Sequence, residues 1–464
     1  ANTYVAEDFD EVVDAPIVAG NPTLHPFTVG EAEHFLVNLG GDGLWDGEKA
    51  AADVAKVVQE HQRMWGMIPY QRYFFLNVIA ESGGGLEHDN STVMLTSRWS
   101  FRSPKRYQSW LGLVSHEFFH TWNVRRLRPK VLVDYDYENE NYFDELWVAE
   151  GVTSYYDDLA LARCDITSVG EYLSALSKQI NTLETTDGRF KQSLAESSHD
   201  AWIKFYRSNE NSRNTTISYY NKGAIVGFFL DIEIRRATED KKSLDDVMQV
   251  LYAKHALKDG YTTDDVIREV NDLTGKDYTE WFQKTIFSSG PLDYQPALDW
   301  LGLRFAHQPE PSKKPIREKG KEPDTTGTAA KAAAKPAPAK QGTWTGISTK
   351  SEDGKMIVSA VAESGPGFQA GINTDDEIIA VNDYRVSSSL TDLFEQFRED
   401  GKVELLIARR GALLRMPVEF ASREVSNWRL VKIKEPSEQQ KNSFDDWLLD
   451  LPEVSEQVTT EDSK

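Results

Sequence analysis

The sequence contains a single cysteine, Cys164, so its 464 residues cannot form an internal disulfide bond. One cysteine favours the cytosol without excluding the periplasm, and the compartment is left open. Long hydrophobic runs are also absent, since the apolar stretch 224–230 near the middle of the chain ends at Asp231. About 18 consecutive apolar residues are needed to cross a bilayer, so the sequence predicts no transmembrane helix.

Basic residues are fewer than acidic ones: the chain has 52 Lys and Arg and 74 Asp and Glu, which gives a formal net charge of -22. A strongly acidic surface repels nucleic acids and anionic membranes, which argues against both as partners. The first residues read "ANTYVAEDFDEVVDAP" and have neither a basic n-region nor an apolar h-region. They are therefore not an intact signal peptide. The length predicts about two to four domains.

Composition changes along the chain and divides it. β-prone runs broken by Gly and Asn come first, and amphipathic helical patterns follow. A Pro-, Lys- and Ala-rich stretch then lacks the apolar residues that could offset its ordering entropy, and it predicts a flexible linker. Strand patterns around one short helix come next. The predicted segments are an acidic N-terminal segment (1–14), a β-rich lobe (15–104), a helical lobe (105–307), the linker (308–341), a β-rich domain (342–420) and an acidic tail (421–464).

Residues 115–122 read "SHEFFHTW" and contain His116, Glu117 and His120 in the order H-E-x-x-H. Positions i and i+4 lie on one face of a helix, so the two imidazoles point to one place. Zinc accepts neutral His nitrogens in a tetrahedral set, and Glu117 could act as general base beside it. Chance would produce this motif in roughly one in a hundred such sequences, so a zinc site is favoured.

A tetrahedral zinc site needs a third protein ligand, and Glu150 is the candidate. It lies in "DELWVAEGVTSYYDDLALA", residues 144–162, which predicts a helix. Most Glu residues on helices are simply exposed carboxylates. Here Trp147, Val152 and Tyr156 crowd the position, so a buried and partnered role is favoured.

The H-E-x-x-H motif followed by W-x-x-E-G-x-x-S-Y resembles the gluzincin metallopeptidases, the group that includes aminopeptidase N. The 29 residues between His120 and Glu150, with "SHEFFHTWNVRRLRP" and "EGVTSYYDDL", resemble the glycyl aminopeptidase family more closely. This resemblance covers residues 15–420. It implies an α+β fold, with a thermolysin-like zinc peptidase domain over 15–307 and a small PDZ domain over 342–420. The family usually carries a β-rich domain before the catalytic one, which is expected to have been removed or to belong to a longer product.

The stretch "SGGGLEHDNST" by itself reads as a Gly-rich turn before a strand. It is similar to the edge-strand motif G-x-M-E-N of gluzincin aminopeptidases, and the glycyl aminopeptidases share "GLEH". The resemblance implies that Gly84, Gly85, Glu87 and His88 line the substrate cleft and that Glu87 holds the free amine of the substrate. His88 stands where aminopeptidase N has Asn.

The stretch "TTISYYNKGAIVGFFLDIEI" predicts a buried helix in which both tyrosines could be core residues. Its "YNKG" is similar to the Y-x-K-G motif of the relatives, whose Tyr donates a hydrogen bond to the oxyanion. The resemblance implies this role for Tyr220, with Tyr219 as the alternative.

Residues 342–420 resemble a PDZ domain, and "GTWTGIS" fits the loop that binds a peptide carboxylate around Trp344, Thr345 and Gly346. A peptide C-terminus would then add as an extra strand beside "GISTKS". The alternative is that this domain binds no peptide at all.

Together these patterns predict a zinc aminopeptidase that removes small N-terminal residues, Gly or Ala, from peptides. His116, His120 and Glu150 would hold Zn²⁺, which lowers the pKa of a water molecule from which Glu117 takes a proton. A zinc endopeptidase guided by the PDZ domain and a catalytically silent PDZ scaffold are the two alternatives. Glu87 distinguishes the first, since an amine anchor near the metal blocks longer N-terminal extensions.

Overall fold

A computed structural model describes residues 4–41, 43–308, 342–386, 389–422 and 428–448. The chain divides into two compact units with separate hydrophobic cores. The first unit is built from the described residues of Ala1–Arg207, Thr215–Phe305 and Trp428–Lys464, and the second from those of Ser208–Asn214 and Ala306–Asn427. Residues 309–341 of the predicted linker lie outside the described residues.

The strands are β1 Thr23–Val29, β2 Ala32–Leu39, β3 Arg72–Ile79, β4 Gly84–Glu87, β5 Ser91–Thr96, β6 Leu303–Phe305, β7 Ile347–Glu352, β8 Lys355–Val361, β9 Glu377–Val381, β10 Tyr384–Arg385, β11 Lys402–Arg409, β12 Ala412–Glu419 and β13 Leu430–Lys432. The α-helices are α1 Phe9–Asp14, α2 Gly47–Trp65, α3 Pro104–Phe119, α4 Thr153–Arg163, α5 Val169–Glu184, α6 Leu194–His199, α7 Ser212–Thr215, α8 Tyr219–Thr238, α9 Leu244–His255, α10 Thr263–Thr274, α11 Thr279–Thr285, α12 Gln295–Leu301, α13 Pro366–Gln369, α14 Leu390–Gln396 and α15 Glu438–Leu448.

Shorter helical turns complete the secondary structure. The 3₁₀ turns are Ser100–Arg102, Lys130–Leu132, Asp187–Phe190 and Arg398–Asp400, and the π-helical turns are Trp147–Val152 and Ala201–Phe205. π-Helical turns are rare and often occur at functional sites.

The first unit contains a five-stranded sheet in the order β1-β2-β3-β5-β4. β2, β3 and β5 run parallel, while β1 and β4 pair antiparallel at the two edges. The crossover between β2 and β3 is α2, which begins after its N-cap Asp46 and ends at Gly66 in the left-handed region. Its apolar stripe, including Val54 and Val58, is fully buried. The predicted β-rich stretch followed by helices is thus an α+β arrangement, as expected from the sequence.

The predicted acidic N-terminal segment (1–14) contains a helix in its second half. Residues 9–14 form α1, and the Asp14 carboxylate accepts a hydrogen bond from His88 Nδ1 at 3.2 Å. Asp14 also forms an ion pair with Arg125 at 2.9 Å. The negative charge of Asp14 is therefore paired with Arg125 and is not simply exposed to solvent.

The predicted acidic tail also needs correction, because part of it belongs to the core of the first unit. β13 pairs antiparallel with β6, and α15 inserts the fully buried Trp447. The indole Nε1–H of Trp447 donates to the Tyr155 hydroxyl at 2.8 Å. Phe444, Trp447 and Leu448 of "FDDWLLDL" are all buried, so the apolar face of this segment outweighs its acidic composition.

The second unit contains a six-stranded antiparallel sheet in the order β12-β11-β9-β8-β7, with β10 paired to β9. β11 and β12 form a hairpin with its turn at Arg410–Gly411. Both turn residues have positive φ, 50° and 85°, which suits the right-handed twist of the strands. α14 corresponds to the predicted short helix, and its Leu390 and Phe394 pack in the core of this unit.

Candidate active site

The H-E-x-x-H motif lies at the C-terminal end of α3. Pro104 occupies the first turn, and the Ser103 side chain caps the helix by accepting from the Arg106 amide. Leu111, Val114 and Phe118 are buried and attach the helix to the core. The helix therefore keeps its i, i+4 geometry up to the last residues of the motif, where His120 is the C-cap.

Each histidine is oriented by a hydrogen bond from its Nδ1 atom. His116 Nδ1–H donates to Asp157 Oδ2 at 3.0 Å, and His120 Nδ1–H donates to the backbone carbonyl of Asn123 at 2.7 Å. A carbonyl oxygen can only accept, so His120 carries a proton on Nδ1, and in the neutral ring that a metal requires its Nε2 is the free donor atom. Such partners hold the ring of a metal-binding histidine in place.

The two Nε2 atoms converge on Glu150, which lies in the π-helical turn Trp147–Val152. Glu150 Oε2 is 3.2 Å from Nε2 of His116 and 3.3 Å from Nε2 of His120. The candidate ligand atoms of all three residues lie within 4.8 Å of one another. Two oriented imidazoles and one carboxylate are the donor set of many catalytic zinc sites, so these residues fit the metal that the sequence predicts.

Two contacts bring the segment of Glu150 to the histidines and to α8. The Asn123 side-chain amide donates to the Val148 carbonyl at 2.9 Å and to Thr153 Oγ1 at 3.1 Å. Gly151 packs on Gly223 of α8 so closely that a Cβ atom on Gly151 would lie 2.5 Å from the Gly223 Cα. Neither glycine can gain a side chain without moving the helices apart.

The electrostatics of this cluster favour a positive charge. Burial lowers the pKa of His120. The carboxylates of Glu150 and Glu87 raise it by more than burial lowers it, so that the pKa is about 9. Burial likewise opposes a charged Glu150, yet the two histidines hold its pKa well below the usual range. Burial raises the pKa of Glu117 to about 7. The carboxylates of Glu150 and Glu87 thus favour a positive charge at this point, either as protons on the imidazoles or as a metal cation that replaces them.

The edge strand β4 runs across this cluster. A Cβ atom on Gly85 would lie 2.3 Å from Glu117 Oε1, so any other residue here would displace the Glu117 carboxylate. Gly84 has a φ of +109°, which also favours glycine. The candidate ligand atoms of Glu87, Glu117 and His120 lie within 4.8 Å of one another. Within the described chain, neither the Glu87 nor the Glu117 carboxylate has a hydrogen-bond partner.

His88 differs from its neighbour. The residue is 9% exposed, and its side chain bonds to Asp14. His88 belongs to neither of the two His and Glu clusters found among the described residues. Since side chains alternate along a strand, Glu87 and His88 point to opposite sides. Among the residues predicted to line the cleft, the structure brings Gly85 and Glu87 to the histidines but gives His88 a partner in α1.

The two tyrosines of "YYNKG" occupy different environments at the start of α8. Tyr220 lies beside the histidines, with its ring centroid 6.2 Å from that of His116. Tyr219 is buried in the core and is 1% exposed. The Tyr219 hydroxyl donates to the Tyr206 hydroxyl at 3.2 Å, and Tyr206 lies 3.3 Å from the Tyr220 hydroxyl. When the Tyr206 hydroxyl donates its hydrogen bond to the Tyr220 oxygen, the O–H of Tyr220 remains free to donate to another acceptor.

Sequence reasoning missed three of these residues. Asp157 lies seven residues after Glu150, a spacing that places both residues on the same helix face. This spacing could have identified Asp157 from the sequence. Asn123 and Tyr206 had no such signal, because each contacts a residue that is distant along the chain or lies on another element.

The predicted carboxylate loop of the second unit is held by backbone contacts. Trp344 forms an isolated bridge with Ala421, and Thr345 is buried. Gly346 has a φ of +77° and packs on Gly365, where a Cβ atom would lie 2.9 Å from its Cα. The following strand β7 is an edge of the sheet.

Comparisons with known proteins agree with the motifs. The model of the M61 glycyl aminopeptidase family matches residues 109–226, a range that contains both histidines of the motif, Glu117, Glu150 and Tyr220. The structure is similar to the crystal structure of an aminopeptidase N family protein from Idiomarina loihiensis, with a TM-score of 0.82 and 28% identity. That match covers 96% of this chain and 73% of the other. No curated protein matches the chain.

The matched segment and the similar structure support a peptidase. The resemblance to the M61 glycyl aminopeptidase family that the motifs predicted is confirmed. No helix among the described residues combines the length and the apolar character needed to span a membrane.

Proposed function

We propose that the chain is a zinc-dependent aminopeptidase that removes small N-terminal residues, Gly or Ala, from peptides. The observation that carries this proposal is the convergence of His116, His120 and Glu150 directly beside two unpartnered carboxylates, Glu117 and Glu87. A buried carboxylate without a partner is costly, so its retention needs a ligand or a reaction.

The metal ligands would be Nε2 of His116, Nε2 of His120 and a carboxylate oxygen of Glu150. Asp157 and the Asn123 carbonyl hold the two imidazoles in the orientation that leaves Nε2 as the donor atom. When bound there, zinc supplies a Lewis acid that polarises the substrate carbonyl and makes water more acidic.

The remaining chemistry belongs to the side chains around the ligands. Glu117 is 5% exposed, and as general base it would take a proton from water and return it to the leaving amine. Tyr220, whose ring lies near that of His116, would donate a hydrogen bond from its hydroxyl to the oxyanion that forms from the carbonyl. Tyr206 supports this role, because it accepts from Tyr219 and can donate to Tyr220.

Exopeptidase action is proposed from Glu87. Its carboxylate lies at the end of the edge strand β4, beside Glu117 and His120, and would accept hydrogen bonds from the protonated α-amine of a substrate. Charge-assisted hydrogen bonds of this kind contribute roughly 1.5–3 kcal/mol. The preference for a small first residue follows from the family resemblance alone.

The experiment combines metal content with substrate selectivity. Purified protein should contain about one zinc per chain, which chelation removes. Specificity constants are then measured on matched glycyl and alanyl substrates with free and N-acetylated amines. The free amine should be preferred, and Glu87→Ala should reduce cleavage of the free-amine substrate about tenfold to a hundredfold while changing the acetylated one much less.

Glu81→Ala is a matched control, since Glu81 is an exposed carboxylate a few residues before β4 that pairs with Arg98 instead. Equal cleavage of free and acetylated substrates by the unaltered protein would favour an endopeptidase. Protein that binds no zinc and cleaves neither substrate would favour the catalytically silent scaffold.

The finer organisation of the fold is part of this proposal. We propose thermolysin-like lobes at 15–104 and 105–307, and a PDZ domain over 342–420 that binds peptide C-termini beside β7. The open edge position of β7 supports strand addition there. Binding of a peptide with a free C-terminus, compared with its C-terminal amide, tests this assignment on the full chain.

A further inference from the structure

Three large apolar side chains lie exposed on one short segment of the first unit. Trp202, Ile203 and Tyr206 are 57%, 54% and 53% exposed, and we call them the aromatic rim. Trp202 stacks on Tyr206 with ring centroids 5.0 Å apart. Contiguous exposed apolar surface of this kind usually marks an interaction site.

The rim is connected to the candidate active site through Tyr206. The Tyr206 hydroxyl bonds to both Tyr219 and Tyr220, and Tyr220 adjoins His116. Phe205 packs beneath, with its ring centroid 5.0 Å from Tyr219 and 5.8 Å from Tyr220. These contacts fix the rim at the border of the site.

The rim and the proposed amine anchor lie by different histidines. Glu87 clusters with Glu117 and His120, whereas Tyr220, and with it the rim, adjoins His116. A peptide held by its amine at Glu87 would present its first carbonyl on the Tyr220 side of the two histidines. The chain that follows the scissile bond would then continue toward Tyr206 and Trp202.

We propose that the aromatic rim is the subsite for an apolar or aromatic side chain of the substrate residue that follows the scissile bond. This inference rests on the proposed function, which supplies the amine anchor and the position of the bond. The Trp202 and Tyr206 rings offer a stacking face, while Ile203 adds aliphatic surface beside them. The occupant is the peptide substrate itself.

The test compares two dipeptide series on the zinc-loaded chain. Ala-Gly, Ala-Leu and Ala-Phe vary the residue after the scissile bond, while Gly-Ala and Leu-Ala vary the residue before it. The unaltered chain should prefer Ala-Phe to Ala-Gly in kcat/KM. Trp202→Ala should reduce that preference roughly five- to tenfold, as expected for loss of an aromatic contact. Trp202→Leu should retain part of it.

Trp99→Ala is the matched control. Trp99 is 51% exposed in the same unit, precedes the turn Ser100–Arg102 and forms no ring contact within the described residues. Its replacement should leave the ratio of the two specificity constants unchanged. Thermal unfolding of each variant checks that the chain is folded.

A binding measurement separates the two proposals. The probe is an Ala-Phe analogue whose scissile amide is replaced by a methylene-amine, titrated against the chain and Trp202→Ala. Weaker binding to the variant supports the subsite even if no dipeptide is cleaved, an outcome that would reject only the proposed function. Cleavage with an unchanged Ala-Phe preference in Trp202→Ala rejects the subsite alone. A change confined to the Gly-Ala and Leu-Ala series overturns the assignment to the residue after the bond.

Discussion

Replacing Asp157 should weaken zinc binding without removing any ligand. Asp157 Oδ2 accepts the Nδ1–H of His116 at 3.0 Å, and the carboxylate is 18% exposed. This bond keeps the proton on Nδ1 and turns Nε2 toward Glu150 and His120. Without it, the ring can rotate and the proton can move to Nε2, where it competes with the metal.

The expected magnitude follows from this single hydrogen bond. Loss of a partner of a metal-binding histidine typically reduces metal affinity about ten- to a hundredfold, or about 1.4–2.7 kcal/mol. Asp157→Ala should show this full effect, since it leaves His116 Nδ1 without an acceptor. Asp157→Asn should lose less, because an amide oxygen can still accept from Nδ1.

The assay is a competition for zinc between the protein and a chromophoric chelator at fixed pH. Asp158→Asn provides the control, because it makes the same Asp-to-Asn change one residue along the chain, where Asp158 forms no hydrogen bond with His116. Its zinc affinity should remain within about threefold of the unaltered chain, whereas a lost orienting bond costs at least tenfold. An Asp157→Ala variant with unaltered affinity, or a control with an equal loss, would refute the orienting role of Asp157.

Three further predictions concern Glu117 and the start of α8. Glu117→Gln should retain zinc while kcat falls by about two to four orders of magnitude, and full activity would contradict its role as base. Tyr220→Phe should lower kcat about a hundredfold with little change in KM, and Tyr219→Phe, which changes a buried neighbour, should lower it far less. The reverse order would transfer the role to Tyr219. Lys222 is 1% exposed, and burial lowers its pKa to about 8. The unfolded chain therefore binds more protons between pH 8 and about 10.5, so stability should rise with pH across this window. Lys222→Met should abolish that rise and increase the free energy of unfolding at neutral pH by at most about 3 kcal/mol, as measured by denaturant titration. A pH dependence that survives the substitution would assign it to another group.

Local patterns were reliable wherever neighbours along the chain determine the outcome. The spacing of His116 and His120 needs only one turn of helix, and the structure retains it at the end of α3. The turn at Arg410–Gly411 likewise depends on two backbone conformations that its residues tolerate. The same reasoning was wrong for the C-terminal segment, where composition suggested a tail and Trp447 is buried in the core.

The sequence by itself thus determined the residue types of the candidate metal site, the spacing of its two histidines on one helix and the resemblance to a peptidase family, because these depend on residue chemistry and helical periodicity. Tertiary structure decided which distant residues meet them. Gly85 lets an edge strand cross Glu117, the contact between Gly151 and Gly223 brings α8 to the segment of Glu150, and Tyr206 reaches Tyr220 from another turn. Contacts between residues that are distant along the chain depend on how closely the backbones pack. That packing is determined by the whole core and not by any one motif.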